Sequence, residues 1–235
     1  MAAIFKRELS SYFKTGTGYI FAAVFLLAAG FLYSICTLHM QTSDVSAYFQ
    51  FLMYAYIVVI PLLTMKSFAE EKKNGTEQLL LTSPVSLPSL VLAKFLAAFC
   101  MFVATLVVSC ASFVTLALYA EDPNWARVIG CTLGILLVGM CFIAIGLFVS
   151  SLTDNLFTAA IGTIAILAGL VVVAIINGLI DNYYIRIVFD WISIYSRYLN
   201  FTYGIFDVAS AFYYISICAI FLFLTVRTYE KRRLA

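Results

Sequence analysis

The stretch VIGCTLGILLVGMCFIAIGLFVSSL, residues 128–152, runs without a single charged side chain. About 20 apolar residues in helical form cross a hydrocarbon core of roughly 30 Å. Backbone polar groups in lipid must be satisfied within the segment, which makes the helix the natural form for such a run. Similar runs lie on either side of it, at about 18–39, 48–66, 88–119, 156–180 and 210–229. Six spans follow, and the fold class is an all-α polytopic membrane protein. The third run is longer than a bilayer needs, so part of it is expected to tilt or to project into the cytosol.

Composition agrees. Of 235 residues, 64% are hydrophobic and only 11% charged, with mean hydropathy +1.03, whereas a soluble domain has about a quarter charged. The net charge of +2 says little; the placement of the charges says more. With the N-terminus inside, Lys6, Arg7, Lys14, Lys66, Lys72, Lys73, Lys94, Arg227, Lys231, Arg232 and Arg233 fall on the cytosolic side. Only Arg127, Arg186 and Arg197 of the 14 basic residues fall outside. This positive-inside bias puts both termini and the 67–86 loop in the cytosol. Lys6, Arg7 and Lys14 precede an apolar stretch too long for a signal peptide and without a small-x-small cleavage site, so that segment is expected to stay in the protein.

Several classes are disfavoured. The span centres hold almost no ionisable groups, which argues against a self-sufficient ion-coupled pump. The single histidine, His39, reads as an interfacial residue and leaves no His-based metal cluster. Cys36, Cys100, Cys110, Cys131, Cys141 and Cys218 lie in or at the ends of apolar runs and form no C-x-x-C pair; they read as small packing residues. Gly130, Gly134 and Gly139, with Gly162, Ala165 and Gly169 in the next span, form small-residue stripes suited to close helix packing, with a substrate path as the alternative. A membrane enzyme would need a convergent polar site at membrane depth. An ATP-independent channel or transporter and a membrane scaffold stay open as rivals.

Three non-spanning pieces carry pattern. IFKRELSSYFK, residues 4–14, is amphipathic: Ile4, Phe5, Leu9, Tyr12 and Phe13 share one face, and Lys6, Arg7, Ser10 and Lys14 the other. It is expected to lie in the cytosolic interface with its basic side toward lipid phosphates. Residues 181–209 are rich in aromatics, with Val188, Trp191, Tyr195 and Tyr198 on one face. Arg186, Asp190, Ser193 and Arg197 take the other, and Arg186 and Asp190 sit at i,i+4 spacing. A short outer in-plane or re-entrant helix is expected, serving as an aromatic anchor or as a gate over an exit path.

The third piece is FAEEKKNGTEQLLLTSPVS, residues 68–86. Ser67 and Glu70 fit a capping box that restarts or extends the second span as a cytosolic helix, Glu70 and Glu71 in its first turn and Lys72 and Lys73 in its last. Asn74-Gly75 offers a left-handed stop. Thr76 can cap a second helix, with Glu77 in its first turn, Leu79, Leu80 and Leu81 following, and Pro84 ending the run. Those leucines have either a protein partner or the membrane surface to cover them.

This passage, followed by LVLAKFLAAF, resembles the E-x-x-x-G-T-x-E/Q-x-L-L-x-x-P passage of ABC transporter type-2 permeases, whose coupling helix sits in a cleft of an ATPase subunit. FKRELSSYF, SSLTDNLFTAA and GIFDVASAFYYISI are similar to the gliding-motility-type bacterial group within it. The chain departs from that group in lacking a histidine in the outer segment. The resemblance places Glu71, Gly75, Thr76, Leu80, Thr82 and Pro84 on the coupling motif and makes residues 1–16 the connecting helix. It implies a single permease domain over 1–235 in the bacterial cytoplasmic membrane. Two ATPase subunits would bind ATP and Mg; a second permease, a copy or a different chain, would complete the path, and an auxiliary extracytoplasmic subunit fits the pattern. No G-x-x-x-x-G-K-[ST] sequence is present, so the chain itself is expected to bind no cofactor and to be no enzyme. The lipid bilayer is its other partner, and no nucleic acid is expected.

Overall fold

The computed structural model describes residues 2–76, 86–119, 124–179, 186, 189 and 193–234. No strand occurs among them; every regular element described is helical. A short helix, α1 (Ala2–Lys14), precedes α2 (Thr17–Tyr33), which ends in a π-helical turn at Ser34–His39. Then come α3 (Ser46–Lys73), α4 (Leu87–Ser109), a short α5 (Phe113–Tyr119), α6 (Trp125–Leu152), α7 (Leu156–Leu179), α8 (Ile194–Thr202) and α9 (Val208–Leu234). Six apolar helical segments are long enough to cross a bilayer: Thr17–His39, Ser46–Lys73, Leu87–Leu118, Trp125–Leu152, Leu156–Asn177 and Val208–Arg233. Below, the "loop end" is the end carrying α1, the C-terminus of α3, the N-terminus of α4 and the C-terminus of α9.

Helix α6 is the most buried of the six and packs against α3, α9, α7 and α8. Two of its glycines show why. A Cβ on Gly139 would strike the Phe102 ring, and one on Gly146 would strike the Thr64 hydroxyl. The glycines let these α4 and α3 side chains pack directly on the α6 backbone, which is how small residues work where lipid supplies no hydrophobic drive between helices. In α7 the stripe behaves differently: Ala165 and Gly169 are exposed, and a Cβ on Gly169 would touch nothing within 4 Å.

The long third run does not extend past the bundle as a straight helix. It breaks at a 3₁₀ turn, Cys110–Ser112, at the end away from the loop. The hydroxyls of Thr105 and Ser109 donate to carbonyls three residues back, Phe102 O at 2.8 Å and Leu106 O at 2.7 Å, a competition that bends helices. Phe113 then turns inward among Tyr33, Tyr48 and Phe49, at centroid distances of 5.7–5.9 Å. Phe113 and Leu116 anchor the surplus length in the core, while Val114 and Leu118 stay exposed.

Candidate functional site

The last turns of α3 depart from the capping-box expectation. Helix α3 runs unbroken through Ser67 to Lys73, so the second span is extended, as one form of that expectation has it, but Ser67 lies inside the helix and caps nothing, and Glu70 and Glu71 stand in the last two turns of one long helix. What holds this stem is Lys94. It lies in the second turn of α4, with its side chain 1% exposed. Its ammonium donates to Glu71 Oε1 at 2.8 Å, Ser67 O at 2.8 Å and Glu8 Oε2 at 3.2 Å, and it stands 5.1 Å from the centre of the Phe68 ring. An ammonium has three protons to donate, and here each has an acceptor. Burying a cation without partners is prohibitive, so the arrangement needs all three elements at once: α1, α3 and α4.

Arg7 completes the cluster, 2.7 Å from Glu8 and 3.9 Å from Glu71. The hydrogen bond and charge of Glu8, with the charge of Glu71, raise the Arg7 pKa above its ordinary value. One turn further along α1, Tyr12 is buried and donates to Leu63 O at 3.4 Å. Burial, aided by the charge of Glu8, pushes its phenol well above the ordinary value. The inner face of α1 therefore packs on α4 and α3 rather than being left for lipid; Phe5 and Leu9 join the core, while Lys6, Lys14 and Phe13 are exposed. A cavity of about 470 Å³ opens between α1 and the stem, lined by polar groups including Ser11, Lys66, Glu70 and Asn74.

Two further helices grip the same stretch. From α9, Tyr229 packs on Phe68, ring centroids 5.0 Å apart. From α6, the buried Ser150 hydroxyl accepts from Phe68 N at 3.2 Å and Ala69 N at 3.1 Å and donates to Met65 O at 3.1 Å. A serine does meet backbone N–H groups here, but it comes from a residue more than eighty positions away and not from Ser67. The stem ends where the sequence indicates. Asn74 N and Gly75 N donate to Glu70 O and Lys72 O at 3.0 and 3.1 Å, and Gly75 has φ +69°, the left-handed region. The Thr76 hydroxyl turns back to Glu71 O at 3.2 Å, closing the C-terminus of α3. Glu77, Leu79, Leu80, Leu81, Thr82 and Pro84 lie outside the described residues.

At the far end, Tyr198 of α8 is fully buried in the core beside Cys131. Tyr195 stacks on Tyr54 with centroids 6.1 Å apart. Ser193 caps α8 by accepting from Ser196 N. Tyr198 is thus a packing anchor between α8 and α6. Trp191, Val188 and Asp190 lie outside the described residues, and the Arg186–Asp190 spacing with them. No cluster of three or more His, Cys, Asp or Glu suited to a metal occurs among the described residues.

Sequence reading counted Lys94 only as one more inside charge and gave no role to Glu8, Ser150 or Tyr229. A lysine seven residues into an otherwise apolar run was the available signal, since such a residue demands a partner.

Fold and site together define a multi-pass membrane protein with six helices long and apolar enough to span a bilayer, and a buried polar cluster at the base of α3. The chain matches the model of the ABC-2 family transporter proteins over residues 3–234 and belongs to that family, a family of membrane transport permeases. A comparison with curated proteins gave no match.

Proposed function

We propose that the chain is the permease subunit of an ATP-driven exporter or mechanical machine of the gliding-motility type, in the bacterial cytoplasmic membrane with both termini cytosolic. Two ATPase subunits, carrying ATP and Mg, dock under the 67–86 loop; a second permease, a copy or a homologue, faces this one, and an auxiliary subunit sits outside. The supporting observation is the stem of α3, held at once by α1, α4, α6 and α9. A push on the loop that follows it reaches four helices through buried contacts. Reversing a 1:99 conformational ratio takes about 5.5 kcal/mol of differential binding, and a rigid stem is what lets a small contact deliver it.

Gly75 offers the test. Its Cβ would meet open space, so Gly75→Val introduces backbone strain alone, at least about 1–2 kcal/mol at φ +69°. The variant should insert and pair with its ATPase, while ATP hydrolysis loses its dependence on the permease. Gly75→Asn, which tolerates this conformation, should retain it. Permease-dependent hydrolysis at the wild-type level in Gly75→Val defeats the reading and favours a scaffold.

A further inference from the structure

The hydrogen-bond ladder of α3 is altered at three places within nine residues. Pro61 has no N–H to give to Ile57 O. Thr64 bonds back to Ile60 O at 3.3 Å, a pattern that bends helices. Then comes the Ser150 hydroxyl, set across the Met65–Ala69 step with one donated and two accepted bonds. In a closed ladder an N–H points at the carbonyl four residues back. A side chain inserted there is a recognised cause of helix kinking. Ser150 is fully buried, and α6 comes close enough to place it because Gly146, one turn earlier, leaves room for Thr64. Below this step the stem is bound to α4 and α1 through Lys94, Glu71 and Glu8. Above it, Met53, Tyr56 and Ile60 are locked in the core.

We infer that residues 61–69 form a joint in α3 and that Ser150 is its positioning residue. The hydroxyl carries the hydrogen bonds of Phe68, Ala69 and Met65 while the stem changes angle, so that the stem, the start of α4 and α1 turn as one body about the contacts of Ser150 in α6 and Tyr229 in α9. An ordinary helix would have to expose buried amides to do this, at about 1–3 kcal/mol each. A hydroxyl that both donates and accepts can follow the backbone instead. The functional half of this inference rests on the loop being the point where the ATPase acts.

Two measurements separate the joint from that reading. In lipid nanodiscs, hydrogen exchange at the Phe68 and Ala69 amides should speed up by about tenfold or more in Ser150→Ala. Ser150→Thr should restore protection, and the Ala144 amide in mid-α6 should not change. Unchanged exchange at both amides in Ser150→Ala overturns the joint. In the assembled complex with Cys100→Ser, spin labels at Lys73→Cys and Phe157→Cys, both exposed positions, should shift by about 3–5 Å on ATP–vanadate trapping; this follows from an arm of one to two helical turns below the joint. The shift should vanish or broaden in Ser150→Ala and return in Ser150→Thr. A wild-type pair that ignores trapping, with exchange behaving as stated, overturns the coupling reading and the swing with it. A shift that survives intact in Ser150→Ala overturns the role of Ser150.

Discussion

Replacing Lys94 with methionine keeps an unbranched side chain, one atom shorter, and removes its charge. Glu8 and Glu71 then face each other without their shared cation, and the Ser67 carbonyl keeps only its helical bond. Breaking a fully buried ion pair from one side costs about 3–5 kcal/mol. Two features reduce that here. The carboxylates keep 15% and 20% of their side-chain surface exposed, against 1% for Lys94, so water can reach them. Arg7 also stays, 2.7 Å from Glu8 and 3.9 Å from Glu71. The expected loss is about 2–3 kcal/mol. At roughly 2–4 °C per kcal/mol for a chain of this size, apparent melting in detergent should fall by about 4–12 °C. The double variant Lys94→Met/Glu71→Gln should recover about half of the loss, because much of the cost is the stranded carboxylate rather than the missing cation. Trypsin should also cut at Lys6 and Arg7 faster in Lys94→Met, as α1 loses its tether. A Lys94→Met protein that melts with wild type and resists trypsin equally would refute the view that this cation binds α1, α3 and α4 together.

Gly139→Ala should cost about 1–3 kcal/mol, read as thermal stability, because Phe102 cannot yield: it is packed against Phe25, Tyr56 and Phe99. Gly169→Ala, with nothing within 4 Å, should be neutral or gain up to about 1 kcal/mol from helix propensity. At the far end, Asp44 pairs with Arg127 at 2.9 Å and caps α3 through Ser46 N. Partial burial raises its carboxyl, but the bonds from Ser46 and Arg127 outweigh that and hold it below the ordinary carboxylate value. Its stabilisation is therefore complete above about pH 4 and is lost as pH falls through the depressed value. Asp44→Asn should lower stability by about 0.5–1 kcal/mol at neutral pH, and the gap to wild type should close in melting curves taken near pH 3 or below.

The six spans could be read from the sequence because each is a long apolar run, and composition alone dictates a helix in lipid. Gly75 could be read for a related reason: Asn-Gly after two lysines is a local signal, and the conformation it predicts needs no distant partner. Ser67 and Glu70 misled because S-x-x-E is equally local, whereas the backbone there is governed by Ser150 and Lys94, whose relation to the stem exists only once α4 and α6 pack beside α3. Lys94 shows the limit most clearly. Its sidedness followed from counting charges, yet its acceptors sit at 8, 67 and 71, on two other helices, and no spacing rule joins them. Tyr12 was correctly set on the apolar face of α1, but its burial and its bond to Leu63 O depend on α3 lying underneath.

The central position of α6 has a consequence for how the protein is made. Its notched surface is covered on one side by α3, already inserted when α6 emerges, and on another by α9, which ends about 80 residues later. At roughly 5–20 residues per second of synthesis, the face awaiting α9 stays open for several seconds. During that interval the face around Phe148, which will meet Phe221 of α9, has only lipid tails against it, and another protein's helix would cover it better. The waiting time between these two helices is thus the period in which membrane chaperones and proteases have their clearest view of the unfinished chain.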